Sequence, residues 1–504
     1  MDRRKFLKSA GVASAVVAGT TVGAGKLASA FASKPEGKTD SRPLPKKPNI
    51  VLVMVDDMGY MDVGFNGSKY YQTPRIDALA KGGMIFTSAY SNAPNCAPTR
   101  ASLLSGQYSP RHGVFTVNSS TRGDARLRKV IPIKNSKTLA SSVETFAERL
   151  KKVGYATASM GKWHLGDGAT GPLGQGFDVN IGGNHAGHQK SSFSPYRNKD
   201  LKNGPRGEYL TDRLTNEAMK FIASQKRAGK PFMLYLPHFA VHIPLEAKRK
   251  HIEIFKKIPK EKRQGHVKYA AMIKSLDENV GILADFLKAQ GLDKNTLLIF
   301  MSDNGGHGAF TSNKPLRGYK GTMYEGGIRV PMFAYWPGQI SPGTSCDQPV
   351  ITTDFYPTFL ELAGATAAKN QPVDGESLVK LFRNHKATLN RDGIYWHMPV
   401  YLQSNGRYQS RQRDRFFRMR PLTAVRSGKW KLLEYYETPG DCELFDLEND
   451  IGETKDLSAK KPAVVKKLRA QIARWLKHTN APLPTKPNPK YDAEFARKKM
   501  SRKK

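Results

Sequence analysis

The chain has 504 residues, 39% of them hydrophobic and 10% aromatic, with three cysteines. This composition excludes a disordered chain, a disulfide scaffold and a four-cysteine zinc site. A mean hydropathy of −0.52, with no run of about 18 apolar residues beyond residue 30, excludes a multi-span membrane protein. The 81 Lys and Arg against 43 Asp and Glu leave a net charge of +38, which concentrates anionic partners: nucleic acid, anionic lipid, or acidic and sulfated polysaccharide.

Arg3 and Arg4 precede a Gly/Ala/Val-rich stretch ending at Ala28-Ser29-Ala30, the small-x-small form of a cleavage site. Residues 1–30 therefore read as a twin-arginine export signal, with the mature chain starting near Phe31. An uncleaved membrane anchor is the alternative; weak hydrophobicity and the Ala-x-Ala site count against stable insertion. The segment holds five basic groups and one acidic, so its removal lowers the charge only from +38 to +34. Export argues against nucleic acid as the partner and for a sulfated or carboxylated polysaccharide met in the periplasm or outside the cell.

Residues 31–48 form a Lys/Pro/Ser/Gly-rich linker. Apolar β-branched runs then alternate with helical patterns. Asn49–Asp57, Phe232–His238, Thr296–Asp303 and Pro331–Pro337 read as strands. Ser141–Val153, Leu210–Gln225 and Val267–Gln290 read as helices, the last with Tyr269, Ile273, Leu276, Val280, Leu283 and Leu287 on one face. Strand–helix alternation over 49–390 predicts an α/β fold, a large mostly parallel sheet sandwiched by helices, with ligands outside the carboxyl ends of the strands. Over 391–480, a hairpin of Leu422–Val425 with Trp430–Tyr436 and a helix at Pro462–Lys477 predict a smaller C-terminal α+β subdomain. Residues 481–504 read as a disordered basic arm.

The acidic pairs fall at strand ends. Asp56, Asp57, Asp303 and Asn304 offer hard oxygens, which suit Ca²⁺ or Mg²⁺ better than zinc, although either pair alone serves equally as turn formers or N-caps. In Cys96-Ala97-Pro98-Thr99-Arg100, Pro98 suits a first helical turn, so Cys96 lies at a helix N-terminus with Arg100 about one turn in: an anion pocket. A lone cysteine there could equally be a small buried hydrophobe.

C-x-P-x-R followed by A-S-L-L-S-G resembles the modification signature of the formylglycine-dependent sulfatases, in the alkaline phosphatase superfamily. Lys162-Trp163-His164-Leu165-Gly166, His242-Ile243-Pro244, Ser302-Asp303-Asn304-Gly305-Gly306 and Lys320-Gly321-Thr322-Met323-Tyr324-Glu325-Gly326-Gly327 are similar to further motifs of that family, in the same order. The resemblance implies an alkaline phosphatase-like fold and sulfate ester hydrolysis. It implies that a maturation enzyme converts Cys96 to formylglycine, whose hydrated form attacks sulfur through one hydroxyl and expels sulfate through the other. It also implies a divalent cation, Ca²⁺ or Mg²⁺, on Asp56, Asp57, Asp303, Asn304 and residue 96. Arg100, Lys162 and Lys320 would hold the diol and the sulfate oxygens, His164 would contact the diol, and His242 would protonate the leaving oxygen.

Substrate contacts are less defined. Asn184, His185 and His188 lie in a long Gly/Asn/Pro-rich loop (165–208) that reads equally as substrate pocket or flexible surface. Arg407, Arg411, Arg413, Arg415, Arg418 and Arg420, with Tyr408, Phe416 and Phe417, form either a clamp for a sulfated sugar or a solvated basic loop. Two rival functions stand beside the sulfatase: a phosphomonoester or phosphonate ester hydrolase on the same scaffold, and a non-catalytic polyanion-binding protein.

Overall fold

The run Asn49–Val55 (β1) sends alternate side chains to opposite faces, and each face meets its own apolar core. Ile50, Leu52 and Met54 pack with Ala97, Ala101 and Leu104 of helix Cys96–Ser105 (α1), Phe146 and Leu150 of Phe146–Lys152 (α2), and Phe359 of Phe355–Ala363. Val51, Val53 and Val55 pack with Leu214 and Ala218 of Leu210–Ala228 (α3) and with the predicted stripe of Val267–Ala289 (α4), all six of whose residues are buried. Burial on both faces explains why the strand reads as continuous and not alternating. The computed structural model describes residues 44–404 and 413–501. The export signal, most of the linker, Arg407, Tyr408 and Arg411 lie outside them.

The central sheet adds Met84–Phe86 (β2), Ala156–Met160 (β3), Val179–Ile181 (β4), Phe232–Pro237 (β5), Thr296–Ser302 (β6), Met332–Tyr335 (β7) and Thr344–Cys346 (β8), in the order β4-β3-β5-β1-β6-β7-β2-β8. All adjacent pairs are parallel except those made by β7, the Pro331–Pro337 run, which is antiparallel to both neighbours. Register aligns Val55 with Ser302 and Met54 with Pro237, so the residues following β1, β5 and β6 emerge at one edge.

Helix α2 starts at Phe146, five residues later than its apolar pattern suggests. Thr145 is a capping-box residue: Glu148 N donates to Thr145 Oγ1 (3.3 Å) and Thr145 N donates to Glu148 Oε2 (2.7 Å).

The C-terminal part is a four-stranded antiparallel sheet of Ile394–Met398 (β9), Leu422–Ser427 (β12), Trp430–Tyr435 (β13) and Cys442–Asp446 (β14). Beside it, Leu402–Gln403 (β10) pairs with Phe417–Met419 (β11). Helix Pro462–Thr479 (α5) covers the sheet with Val465, Leu468, Ile472 and Trp475. The two parts are joined by a buried ionic network. Lys431 Nζ lies 2.9 Å from Glu325 Oε1 and 2.8 Å from Glu453 Oε1, with all three side chains fully inaccessible. Burial, with Glu325 beside it, pushes the Glu453 carboxyl up from its ordinary range.

In its described residues, 481–501, the basic tail is not a free arm. Ala493–Ser501 is a helix (α6) whose Ala496 is buried with Leu127, Val130, Tyr401 and Phe417, while Asn488 Nδ2 donates to the carbonyls of Ala125 (2.9 Å) and Arg128 (2.7 Å). Tyr491, Phe495 and Ala496 supply an apolar face that the charge run conceals. Cys346 is buried in the core and Cys442 lies on β14; both are free thiols. Among the described residues no helix is long and apolar enough to cross a membrane.

Two core histidines make stability depend on pH. Burial lowers His112 to about 3 and His397 to about 4 from 6.5; the first bonds Ser102 Oγ at 3.0 Å and the second Thr423 Oγ1 at 2.8 Å. Below pH 6.5 the unfolded chain binds protons that the folded chain refuses, so this stability is complete above 6.5 and is lost as pH falls. Each histidine should cost about 1.4 kcal/mol at pH 5.5. Urea unfolding at pH 7.5 and 5.5 should show the lower midpoint at 5.5, with a smaller difference in His397→Asn.

Candidate active site

The aligned strand ends supply the floor. Asp56 and Asp57 follow β1, and Asp303 and Asn304 follow β6; Asp303 N donates to Val55 O (3.0 Å) and Asp57 N to Asp303 Oδ1 (3.2 Å). Helix α1 brings Cys96 in at its first residue. Asn95 is extended at the N-cap position, and Thr99 Oγ1 donates to the Ala93 and Asn95 carbonyls, which fixes the approach. The motif glycines permit close backbone packing. A Cβ on Gly305 would sit 1.9 Å from Gly326 O, and one on Gly161, at φ +127°, would sit 2.0 Å from Pro237 O.

The side chains pair by charge. Lys162 Nζ lies 2.7 Å from Asp56 Oδ2, Lys320 Nζ 2.5 Å from Asp57 Oδ1, and Arg100 Nη2 2.7 Å from Asp303 Oδ2. Cys96 Sγ is 3.3 Å from His164 Nδ1, and His242 Nε2 is 3.6 Å from Asp57 Oδ2. His164 joins Lys162 in the site from a left-handed backbone (φ +68°), not from the extended one that their spacing suggests.

Three carboxylates thus face three cations, yet the oxygens are not satisfied. Asp56 Oδ1 and Asn304 Oδ1 are buried without a hydrogen-bond partner, while Asn304 Nδ2 donates to Asp57 Oδ1 (2.9 Å). Asp56, Cys96 and Asp303 each place a ligand atom within 4.8 Å of the others, as do Asp56, Asp57 and His242. Orphaned hard oxygens among crowded carboxylates fit a Ca²⁺- or Mg²⁺-like ion. Burial, reinforced by Asp303 and Asp57, pushes the Asp56 carboxyl up; burial opposes the charge of Asp57 too, but Lys320 and His242 hold it below its ordinary range. Burial raises the Cys96 thiol against the pull of Lys162 and Lys320, so an unmodified Cys96 is a protonated, poorly nucleophilic group at neutral pH. Burial and then Lys320 keep His242 neutral, with Nδ1–H donated to Ile243 O at 2.8 Å and Nε2 left toward Asp57.

Cys96, Lys162, His164, His242, Lys320, Asp56, Asp57, Asp303 and Asn304 therefore converge. Arg100 reaches the same cluster: its Nε and Nη2 both donate to Asp303 Oδ2 and its Nη1 to Lys162 O (2.7 Å), so in this structure it orients Asp303. The 183–188 loop packs against the site: His185 lies 6.4 Å from His164 and His188 stacks at 6.2 Å on His242, ring centre to ring centre. Asn184 is instead a loop brace, with Nδ2 donating to Asn198 and Asp200 and Oδ1 accepting from Ala186 N. The basic–aromatic stretch is not a solvated clamp in its described part. Arg413 pairs with Asp441, Arg420 with Asp414 and Glu437, and Arg415 donates to Lys499 O; Phe417 is buried and Phe416 packs beside it. Among the described residues of this group, Arg418 is the one that lies over Gly321, next to Lys320. His307 and Arg122, which no motif reading selects, also reach the cluster: Asp57 and Lys320 act on His307, and the Cys96 thiol on Arg122. His307 follows S-D-N-G-G directly and was findable by position; Arg122 has no local signal.

A sulfatase family model matches residues 48–365, and a model described as N-sulphoglucosamine sulphohydrolase, C-terminal, matches residues 318–480. A protein named sulfatase from Formosa agariphila is 32% identical over 91% of this chain and 93% of its own length. The mouse N-acetylgalactosamine-6-sulfatase is 35% identical over 66% of each chain. Among solved structures, Ps i-CgsB in complex with k-i-k-neocarrahexaose superposes with a TM-score of 0.70 at 33% identity, covering 85% of this chain and 93% of the other. Motif order, a site of paired carboxylates and cations around Cys96, and matches spanning most of the chain converge: the protein belongs to the sulfatase family of the alkaline phosphatase superfamily and is a sulfuric ester hydrolase.

Proposed function

We propose that this chain is an exported sulfatase that removes sulfate from a sulfated polysaccharide or oligosaccharide. In this reading residue 96 is formylglycine, installed by a maturation enzyme before twin-arginine export to the periplasm or beyond. The observation that carries it is the pair of buried, unpartnered oxygens, Asp56 Oδ1 and Asn304 Oδ1, in one cluster with Cys96, Lys162 and Lys320. The names of the relatives support the substrate class: one is an N-acetylgalactosamine-6-sulfatase, and one was solved with a neocarrahexaose.

Asp56, Asp57, Asp303 and Asn304 would hold the cation, which would neutralise sulfate oxygens and acidify a hydroxyl on residue 96. Formylglycine would supply that hydroxyl. The chain's own groups do the rest. Three carboxylates balance Arg100, Lys162 and Lys320, so a divalent ion leaves the pocket positive and selective for an anionic ester. His164 orients residue 96 through Nδ1. His242, its Nδ1–H fixed on Ile243 O, presents a bare Nε2 that would take up the proton released by the attacking hydroxyl and pass it to the departing alcohol. A division near residue 390 would leave residue 96, at the start of α1, with the larger α/β part and Arg418 with the smaller subdomain.

Protein co-expressed with a maturation system should show formylglycine in the residue-96 peptide by mass spectrometry. It should release sulfate, and not phosphate, from sulfated glycans and aryl sulfate in a Cys96-dependent way, with Cys96→Ala at least about a thousandfold slower. Phosphate release alone would establish the phosphoesterase rival. Unaltered function in Cys96→Ala would establish the polyanion-binding rival.

Calcium at about 100 times its Kd should raise stability by about 2.7 kcal/mol over chelated protein, read as a higher Tm. Asp57→Ala should abolish that shift. His242→Gln should slow sugar sulfates by about a hundredfold or more, and nitrophenyl sulfate much less, because nitrophenolate leaves without a proton. Equal losses on both would remove His242 from the role of acid.

A further inference from the structure

Among the described residues, two part-buried guanidinium groups near residue 96 have no carboxylate within ion-pair distance, whereas Lys162, Lys320 and Arg100 each have one. Arg418 sits on β11 between Phe417 and Met419, which are both buried, so alternation turns it to the opposite face. There it lies directly over Gly321, the neighbour of Lys320: a Cβ at Gly321 would be 2.6 Å from Arg418 Nε and 2.8 Å from Arg418 Cζ. Gly321 N in turn donates to Pro94 O (2.8 Å), in the approach to Cys96. Arg418 Nε is buried without a partner, and among the described residues the guanidinium has neither a hydrogen bond nor a carboxylate within ion-pair distance.

Arg122 comes from the other side. A Cβ on Gly123 would lie 2.5 Å from Phe417 Cε1, so residues 122–123 adjoin β11. Arg122 Nη2 donates to Thr116 Oγ1 (3.0 Å) and Val117 O (2.7 Å), and Nε to Ser119 O (3.2 Å), which sets the plane of the guanidinium. Among the described residues it too has no carboxylate. Burial, with Arg418 next to it, lowers Arg122 to about 10. Arg413 and Arg420 of the same stretch are paired with acids. Both residues are partly exposed, and two like charges held together with no carboxylate within ion-pair distance are stabilised when an anion joins them.

We propose that Arg418 and Arg122 form a second anion subsite next to residue 96, so that the preferred substrate carries another sulfate or a carboxylate close to the sulfate being removed. This rests on the sulfatase reading above and adds the substrate's second charge to it. Arg418 and Arg122 are specificity residues, positioned to touch a part of the substrate that does not react.

The test uses formylglycine-verified, calcium-loaded protein and sulfated disaccharides in three arms: one sulfate, two sulfates, and one sulfate with a uronic carboxylate. Wild type should favour at least one dianionic arm in kcat/KM by about tenfold or more, and the favoured arm tells sulfate from carboxylate. Arg418→Gln should remove most of that preference, chiefly through KM. Arg413→Gln, which deletes the same charge from the same stretch, should leave it intact. Thermal melting confirms folding, and Arg418→Lys should restore part of the preference. A wild type indifferent to the second anion, or equal losses in Arg418→Gln and Arg413→Gln, would overturn the subsite and leave the sulfatase standing. No sulfate release from any arm or from aryl sulfate would overturn the sulfatase reading itself.

Discussion

The structure is organised around one electrostatic problem: three carboxylates buried within a few ångströms of one another at the edge of a parallel sheet. Like charges so close repel by several kcal/mol at any plausible interior permittivity. Asp56 and Asp57 leave β1 and Asp303 leaves β6 because the register of those strands ends them together. Each carboxylate is tied to a cation from a different part of the chain: Lys162 after β3, Lys320 from the loop before β7, and Arg100 from α1. The fold is what brings these distant residues to one point, and the pairing is what lets the sheet end in acids at all.

The balance is incomplete in a useful way. Ion pairing occupies one side of Asp56 and leaves Oδ1 bare, and Asn304 presents its amide to Asp57 and leaves its carbonyl bare. Bare acceptor oxygens of this kind are costly to bury without a partner. The same logic, run with the opposite sign, applies to Arg418 and Arg122, which among the described residues have no carboxylate within ion-pair distance. An acid-rich floor thus faces a base-rich rim.

The smaller sheet is bound to this arrangement and not merely appended. Lys431 enters between Glu325 and Glu453, and Glu325 belongs to the same Tyr-Glu-Gly-Gly segment that follows Lys320. A shift of the subdomain would therefore strand a buried carboxylate, which is a strong constraint on its position. That constraint is what allows β11 to hold Arg418 over Gly321.

Local sequence determined the parts whose cause is local. The double-faced burial of β1, the stripe of α4, the helix start at Cys96 and the hairpin around Gly428 follow from periodicity and from turn and cap chemistry within a few residues. The ordered motifs around Cys96, Lys162, His242, Asp303 and Lys320 were legible as a resemblance before any distance was known. Tertiary structure decided what depends on partners far along the chain. It set Arg100 against Asp303, turned Asn184 into a brace, neutralised Arg413 and Arg420 with Asp441, Asp414 and Glu437, and packed the tail through Ala496. It also singled out Arg418 and Arg122. A one-dimensional pattern records which residues carry charge; whether that charge is spent on a neighbour or kept for a ligand is a matter of distance, which only the folded chain sets.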